Sequence, residues 1–219
     1  MKKVFIVFLM LMYIPVIALC STTKVLDKDT ELQPQGWTAG TLKFKQGGTV
    51  ELNEQGQVIS GILKSFSQLR PVASAFSHAL ITARIGNIFF QSDYNVTFDE
   101  HGHVLSGILG TDSDVCLSPN TEPYVGFKYN TAILFDKDGN LIKGTICDDT
   151  LLRPIGWKNY LPIDNNAGLI KFKAGTEVVL GANAQVIKGT IANDLTVNGI
   201  TYPAGTTLQF SESAIPQKI

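Results

Sequence analysis

The sequence has little charge and lacks the motifs of nucleotide-binding and hydrolytic sites. Of its 219 residues only 17% are charged, and the formal net charge is −1. Without a basic field to hold phosphates, nucleic-acid partners are excluded. Neither Gly-x-Ser-x-Gly nor Gly-Lys-Ser/Thr occurs, so a nucleophile elbow and a phosphate-binding loop are missing. Because 44% of the residues are hydrophobic, we predict a packed core rather than disorder. From the missing motifs we predict that the protein is not an enzyme and needs no cofactor.

Long hydrophobic runs are also scarce, and the one present lies at the N-terminus. Lys2 and Lys3 precede an uncharged run over residues 4–19, and polar residues follow from Ser21. A basic start, a short apolar stretch and a polar end are typical of a secretory signal peptide, and the run is short for a membrane span. We therefore predict a signal over residues 1–20 and one exported domain over residues 21–219. That domain is periplasmic or anchored to the cell envelope, with secretion as the alternative.

Cysteine is rare, and each of the three residues suggests a specific role. Cys20 ends the predicted signal where a bacterial lipoprotein carries its acylated cysteine, although Leu19 occupies a position normally held by a small residue. Lipidation of Cys20 and ordinary cleavage after Ala18 or Cys20 both remain open. The other two, Cys116 and Cys147, predict a disulfide in an oxidising compartment. Their alternative is a pair of unpaired, buried thiols.

The rest of the chain repeats itself. A nine-residue pattern with two glycines, or a shortened form of it, recurs at 55–63, 101–109, 138–146 and 184–191. Its second glycine is Gly61, Gly107, Gly144 or Gly189, and the spacings of 46, 37 and 45 residues predict linkers of variable length. Upstream, an aromatic residue precedes an aliphatic one by six positions. The aromatic members of this second pattern are Phe44, Phe90, Phe127, Phe172 and Tyr202. A third pattern, residues 29–37, is echoed by residues 149–157.

Alternation and turn chemistry predict an all-β fold of repeated β-hairpins that forms a meander or a rolled antiparallel sheet. Val50-Glu51-Leu52 and Val96-Thr97-Phe98 alternate apolar with polar residues, as half-buried strands do. Polar segments ending in Gly56, Gly102 and Gly139 predict the hairpin turns. A glycine in the second strand of each hairpin indicates a bulge or a close backbone approach. The predicted units are 38–71, 84–119, 125–157, 168–197 and a half-unit at 198–212.

One segment departs from this pattern. Residues 71–84 begin with Pro71 and place apolar side chains at positions 72, 75, 76, 79, 80 and 83. This spacing predicts one short inserted helix, because proline suits the first helical position and the apolar residues share one face.

These hairpins resemble a known class of repeat. Residues 97–109, Thr-Phe-Asp-Glu-His-Gly-His-Val-Leu-Ser-Gly-Ile-Leu, resemble the Phe-x-x-x-Gly-x-x-x-x-Gly hairpins of bacterial exported repeat proteins, which are similar to MORN-type and YwqK-like repeats. The resemblance extends over residues 38–210. It implies a hairpin meander used for binding or spacing, with no catalytic residues to carry over.

Two sets of residues are candidates for binding chemistry. Asp99-Glu100-His101-Gly102-His103 has the residue types of a metal site, but the matching positions of other units hold Gln or Asn, so we predict a hairpin turn and no metal. Trp37 and Trp157 occupy equivalent places after Pro-x-Gly. They are candidates for a stacking platform that binds a sugar or peptidoglycan fragment, although repetition of the whole nine-residue block favours a repeated core anchor.

Together these features predict an exported envelope protein with a non-enzymatic binding or structural role. Repeats distribute binding over a surface, so we expect one sheet face to bind an envelope protein or glycan. Membrane association is expected only through a lipid on Cys20. The alternatives are a periplasmic hydrolase built on His78, His101 and His103 or on paired carboxylates, and a β-barrel that carries a small apolar ligand.

The end of the signal is testable by the intact mass of the exported protein. We expect a lipid-modified chain that begins at Cys20, because a cysteine stands at this boundary. An unmodified chain beginning at Leu19 or Ser21 would contradict lipidation. The same spectrum, recorded without reductant, shows whether the chain is two hydrogens lighter, as a Cys116–Cys147 disulfide requires.

Overall fold

A computed structural model describes residues 21–38, 40–72, 87–118, 124–159, 168–212 and 215–219. Strands make up nearly all of its regular structure, which confirms the all-β prediction, and two short 3₁₀ turns lie at Trp157–Asn159 and Ala182–Ala184. In the described part of the chain, no helix is long and apolar enough to cross a membrane. The predicted signal with Cys20, most of the predicted helix after Val72, and His78 lie outside the described residues.

The strands are short and are numbered in chain order. They are β1 (Thr22–Val25), β2 (Thr30–Leu32), β3 (Leu42–Phe44), β4 (Thr49–Leu52), β5 (Val58–Ile62), β6 (Ser67–Leu69), β7 (Ile88–Phe90), β8 (Asn95–Phe98), β9 (Val104–Ile108), β10 (Ser113–Val115), β11 (Val125–Phe127), β12 (Ala132–Phe135), β13 (Leu141–Thr145), β14 (Thr150–Leu152), β15 (Ile170–Phe172), β16 (Glu177–Leu180), β17 (Val186–Thr190), β18 (Leu195–Val197), β19 (Ile200–Tyr202), β20 (Thr207–Gln209) and β21 (Gln217–Lys218).

Eleven of these strands form one antiparallel meander, here called the long sheet. Its order is β1-β4-β5-β8-β9-β12-β13-β16-β17-β20-β21. The hairpins β4–β5, β8–β9, β12–β13 and β16–β17 each contain a register shift near the turn. The polar segments predicted as turns close the first three of these hairpins, and we call these turns the tips.

The other ten strands form five two-stranded ladders, called the short ladders: β2–β3, β6–β7, β10–β11, β14–β15 and β18–β19. A linker separates the two strands of each ladder, and it ranges from 18 residues between β6 and β7 to the two-residue turn Asn198-Gly199. The repeat spacings of 46, 37 and 45 residues contain linkers of 18, 9 and 17 residues. Each unit without its linker is therefore 28 residues long, so the uneven spacing comes from the linkers alone.

The core lies between the long sheet and the short ladders. Pairing along the inner face alternates an aliphatic residue with a glycine, as in Val50↔Gly61 and Gly61↔Val96. The fully buried phenylalanine that ends β3, β7, β11 or β15 lies over the glycine of its unit. A Cβ on Gly107, Gly144 or Gly189 would come within 2.6 Å of the phenylalanine Cδ1. The glycines therefore mark a close approach, as one of the two sequence interpretations predicted, while the bulges lie nearer the tips.

Prolines fix the start of three linkers against the second strand of a hairpin. Pro34, Pro71 and Pro154 form parallel bridges with Val58, Val104 and Val186. In the third unit, the N–H of Leu141 donates to the carbonyl of Leu117 at 2.9 Å instead. The first four linkers thus leave the core at the same point of their units.

The last unit differs from the predicted half-unit without a partner strand. β20 pairs with β21 through Leu208↔Lys218 and Gln209↔Gln217. Tyr202 stands where other units have the buried phenylalanine, and its hydroxyl donates to the Pro216 carbonyl at 2.6 Å. The C-terminus therefore supplies a two-residue closing strand.

The glycine–phenylalanine contact predicts that Gly144→Ala destabilises the fold by about 1–3 kcal/mol, because the added methyl overpacks the core beside Phe127. Urea unfolding followed by tryptophan fluorescence measures this change. The matched control is Gly126→Ala, where an added Cβ has its nearest neighbour at 3.4 Å, and we expect a change within about 0.5 kcal/mol. Equal stability of the two variants would contradict the close approach.

Candidate functional site

The tips of the hairpins share one hydrogen-bonding scheme. The side-chain oxygen of Asn53 accepts the N–H groups of Gln55 at 3.0 Å and Gln57 at 2.9 Å. Asp99 and Asp136 do the same in their own tips, each accepting from the residues two and four positions later. This side-chain turn explains why a polar residue begins each of these three tips.

The histidine-rich tip follows this scheme. The Nδ1 of His103 lies 3.0 Å from the second oxygen of Asp99, and Asn140 donates to Asp136 in the same way at 2.9 Å. His103 thus holds the place of Asn140, while His101 is exposed and lies 3.7 Å from Glu100. Within the described residues, no group of three His, Cys, Asp or Glu side chains is arranged to hold a metal ion.

The first tip is distinct because both of its partners are amides. The Nδ2 of Asn53 donates to the Oε1 of Gln57 at 3.0 Å, whereas the second and third tips use a carboxylate. Next to this tip, Gln35 is held at both ends. Its backbone N–H donates to Val58 at 2.9 Å and its Nε2 donates to the Phe98 carbonyl at 2.8 Å. Hydrogen bonds therefore hold the amide side chains of Gln35 and Gln57 in place at this end of the hairpin.

A groove of about 370 Å³ lies at this first tip. Gln35, Asn53 and Gln57 line it with Glu54, Glu100 and the partly buried Ile59. The neighbouring Gly36 fits close to the second tip, because a Cβ there would overlap the Glu100 carbonyl oxygen. The groove is thus formed by the first linker and the tips of two hairpins.

The opposite ends of the long strands carry a second repeated device. The residue just before the first strand of a short ladder is Asp29, Asp112, Asp149 or Asp194, and its carboxylate accepts one backbone N–H from the turn after the second strand. The N–H donors are Gln46, Tyr129, Ala174 and Ala204, at 2.6–2.8 Å. The Gln46 N–H, and then Lys64, lower the pKa of Asp29 below its usual value. Four of the five units are closed by this carboxylate, which we call the Asp cap.

The second unit replaces its Asp cap with an exposed aromatic pair. Phe66 occupies the cap position and is 48% exposed, although Ser67 still donates to Ser65 at 2.8 Å as Thr30 does to Lys28 at 2.8 Å. The Phe66 ring stacks on Phe89 with a centroid distance of 4.8 Å and an interplanar angle of 18°. A side chain at Gly110 would overlap Phe66. We call Phe66, Phe89 and Gly110 the aromatic patch.

Each residue of the aromatic patch differs from those at the matching positions of the other units, but only Phe66 replaces a residue that the other four units share. The middle residue of the second ladder strand is Phe89 here, and Lys43, Gly126, Lys171 or Thr201 in the other units. The position of Gly110 is held elsewhere by Lys64, Cys147 or Ala192, each of which donates its N–H to the ladder like Gly110. The sequence reasoning missed the patch, although aligning the units by their ladder strands shows phenylalanine in a column of aspartates.

The two tryptophans are half-buried and are not brought together. Trp37 packs against the core with its ring centroid 6.5 Å from that of Phe98. Trp157 also packs on the core, and the Arg153 guanidinium lies 5.1 Å from its ring centroid. A Cβ at Gly168 would overlap the Trp157 ring. These contacts favour the anchor interpretation, and sugar stacking on Trp37 or Trp157 stays a prediction.

In the structure no disulfide joins Cys116 and Cys147. Cys116 is buried, and its thiol donates to the Ser118 carbonyl at 2.7 Å. Cys147 lies beside β11, where its N–H donates to the Gly126 carbonyl at 2.8 Å. Burial raises the pKa of Cys147 to about 11, and the nearby Asp112 adds to this effect.

This raised pKa predicts slow alkylation of Cys147. At pH 8 a thiol with a pKa near 11 is about 0.1% thiolate, so iodoacetamide should react on the order of 100-fold more slowly than with an unperturbed cysteine. Peptide mass spectrometry of the Cys116→Ser variant measures the rate at Cys147 alone. Asp112→Asn should accelerate the reaction, because it removes a neighbouring negative charge. A wild-type rate equal to that of a free cysteine would contradict the assigned environment.

No protein-family model matches this chain, and no match was found among curated proteins or solved structures. Function is therefore inferred from the chain's own residues. The five units provide an internal comparison, in which a departure from the shared pattern is the informative feature.

Proposed function

We propose that this protein is an exported, non-enzymatic binding protein of the cell envelope, and that the aromatic patch binds a protein partner. The observation that carries the proposal is Phe66, which stands where the other four units have an aspartate and stacks on Phe89 beside Gly110. A single exposed apolar residue needs no explanation. Here the residues at three positions far apart in the chain together place one ring over another.

Phe66 at the cap position is a disadvantage for the stability of the isolated fold. The N–H of Ser92, which corresponds to that of Gln46, has no Asp cap because Phe66 stands there. A large ring remains nearly half exposed instead. Aromatic side chains contribute strongly to protein interfaces, since they bury a large area with little loss of conformational freedom. Partner binding accounts for both the lost cap and the exposed ring.

The predicted export of the protein is consistent with the same proposal. The basic and apolar N-terminus predicts passage across a membrane, and Cys20 offers a lipid tether beside β1. A chain held at the envelope by its N-terminus leaves the short ladders free to meet a partner. The resemblance to MORN-type and YwqK-like repeats also implies a binding or spacing role.

Restoring the repeat tests the proposal. Phe66→Asp should keep or raise stability, by up to about 1 kcal/mol, because the new carboxylate accepts the Ser92 N–H. The same variant should lose partner capture, because the stacked ring is gone. Urea unfolding measures the first effect. Quantitative cross-linking to envelope proteins in the native cells measures the second.

The matched control is Leu151→Gln, which removes an exposed aliphatic side chain from another short ladder. Leu151 is 49% exposed and lies at the register position of Gln68. This variant should retain every partner captured by the wild type. Identical partner sets for the wild type and Phe66→Asp, or an unfolded Phe66→Asp variant, would refute the role of the aromatic patch.

A further inference from the structure

We propose that the partner of the aromatic patch binds through a basic segment, whose arginine side chains lie across the patch and the three carboxylates next to it. These carboxylates belong to Asp112, Asp114 and Asp148, which we call the acidic margin. Because it names the chemistry of the partner that the patch binds, this proposal rests on the proposed function. Three observations support it: the position of the margin, its unpaired charge, and the exposed rings at the same end of the molecule.

The acidic margin begins directly beside the aromatic patch. Asp112 follows Gly110 by two residues, and a Cβ at Gly110 would come within 2.4 Å of the Phe66 Cε2. Asp114 lies in β10, where it pairs with Gly126 of β11. Strands β7 and β11 hold the same place in neighbouring units, which are two long strands or about 10 Å apart. One extended segment of a partner can therefore reach both the rings and the carboxylates.

The three carboxylates lie around one opening in the third ladder. The position that a Cβ at Gly126 would take lies 3.4 Å from the Oδ1 of Asp114 and 3.8 Å from the Sγ of Cys147. Burial, and then Asp112, Asp148 and Asp114, raise the pKa of Cys147, so all three carboxylates act on the same thiol. All three are exposed. Since residue 126 has no side chain, the surface between them is open to a ligand.

The described residues leave the charge of the acidic margin unpaired. Among them, no Lys, Arg or His forms an ion pair with Asp112, Asp114 or Asp148. Lys128, which follows β11, extends to the next turn instead, with its Nζ 3.7 Å from the position of a Cβ at Gly175. Like charges held close together repel one another, and a basic ligand would relieve this repulsion.

The cations on the other side of the aromatic patch already have partners. The Nζ of Lys45 lies 2.6 Å from the Oδ1 of Asp93, and the Nζ of Lys64 lies 3.1 Å from the Oδ2 of Asp29. These pairs leave little net charge beside the patch in the first unit. The acidic margin therefore sets the sign of the charge that a partner meets.

The fold does not require a carboxylate at two of the three positions. Asp114 is the middle residue of the first ladder strand, a position held in the other units by Glu31, Gln68, Leu151 or Thr196. In the first unit Glu31 stands opposite Lys43, whereas Asp114 stands opposite a glycine. Asp148 precedes an Asp cap, and the matching positions hold Lys28, Ser65, Thr111 or Asn193. A role in binding accounts for two acids that the repeat does not need.

The exposed aromatic rings favour the same ligand. Three aromatic side chains of the described chain are exposed, and all of them lie at this end: Phe66, Tyr94 and Tyr129. The N–H of Tyr129 donates to Asp112 at 2.6 Å, which places this ring at the acidic margin. A guanidinium stacks on aromatic faces and binds a carboxylate through two parallel hydrogen bonds. Rings and carboxylates side by side therefore match arginine better than any other side chain.

Calorimetry on the exported protein tests this chemistry with three synthetic peptides, which alternate leucine with arginine, lysine or glutamate. We expect the arginine peptide to bind most tightly and the glutamate peptide not to bind. The lysine peptide should bind more weakly than the arginine peptide, because an ammonium lacks the planar fork. The double variant Asp114→Asn/Asp148→Asn should weaken binding of the arginine peptide about threefold to tenfold. It should remain folded, because other units carry neutral residues at both places.

The matched control is Glu31→Gln/Asp138→Asn, which removes the same charge from the first ladder and the third tip. Its affinity for the arginine peptide should stay within about twofold of the wild type, since salt screens distant charges. Two results would overturn the basic partner: equal affinities for the wild type and Asp114→Asn/Asp148→Asn, or a glutamate peptide that binds as tightly as the arginine peptide.

Photo-cross-linking in the native cells separates this proposal from the proposed function. With p-benzoylphenylalanine in place of Tyr129, the cross-linked partner segments should contain arginine, and capture should fall in both Phe66→Asp and Asp114→Asn/Asp148→Asn. Capture that falls only in Phe66→Asp, or segments without arginine, would overturn the basic partner and leave the aromatic patch as a binding site. Capture that is unchanged in Phe66→Asp would overturn both proposals.

Discussion

The packing of a phenylalanine ring directly on a glycine is the contact on which the whole fold depends. It occurs four times, each time joining a short ladder to the long sheet. Any side chain at the glycine would separate the two layers, and any smaller residue than phenylalanine would leave a cavity between them. The two layers can be built from strands of two to five residues because each unit adds one such contact beside the last.

Much of this architecture could be predicted from the sequence, because the residues that the fold requires recur at matching positions of several units. The glycine in each second strand appears four times, the polar turns appear three times, and the alternation at Val50-Glu51-Leu52 recurs at Val96-Thr97-Phe98, so chance similarity at one copy matters little. The all-β class, the meander and the hairpin tips followed from them. The short ladders were not predicted, since their strands have only three residues and, in four of the five ladders, are separated by linkers of 9 to 18 residues. The disulfide between Cys116 and Cys147 stays a prediction, because spacing along the chain does not show which side of a ladder a cysteine occupies.

The candidate sites could not be found by searching for known motifs. Phe66 and Gln35 belong to no catalytic or metal-binding pattern, and the conspicuous His-x-His segment is a variant of an ordinary tip. Both sites are visible only where one unit differs from the others at a matched position. Packing is common to all units, whereas each candidate site lies where a single unit differs from the rest: the first unit at its tip and the second at its short ladder.

The position of the linkers determines where the chain can accept insertions. Every insertion lies between the two strands of a short ladder, and the units are otherwise 28 residues long. Closing a longer loop costs little additional free energy, roughly 0.6 kcal/mol for each doubling of its length. The connection between the two strands of a short ladder has two residues in the last unit and 18 in the second. The protein is therefore a natural display scaffold, in which new segments can be grafted at a constant position without disturbing the register of a single long strand.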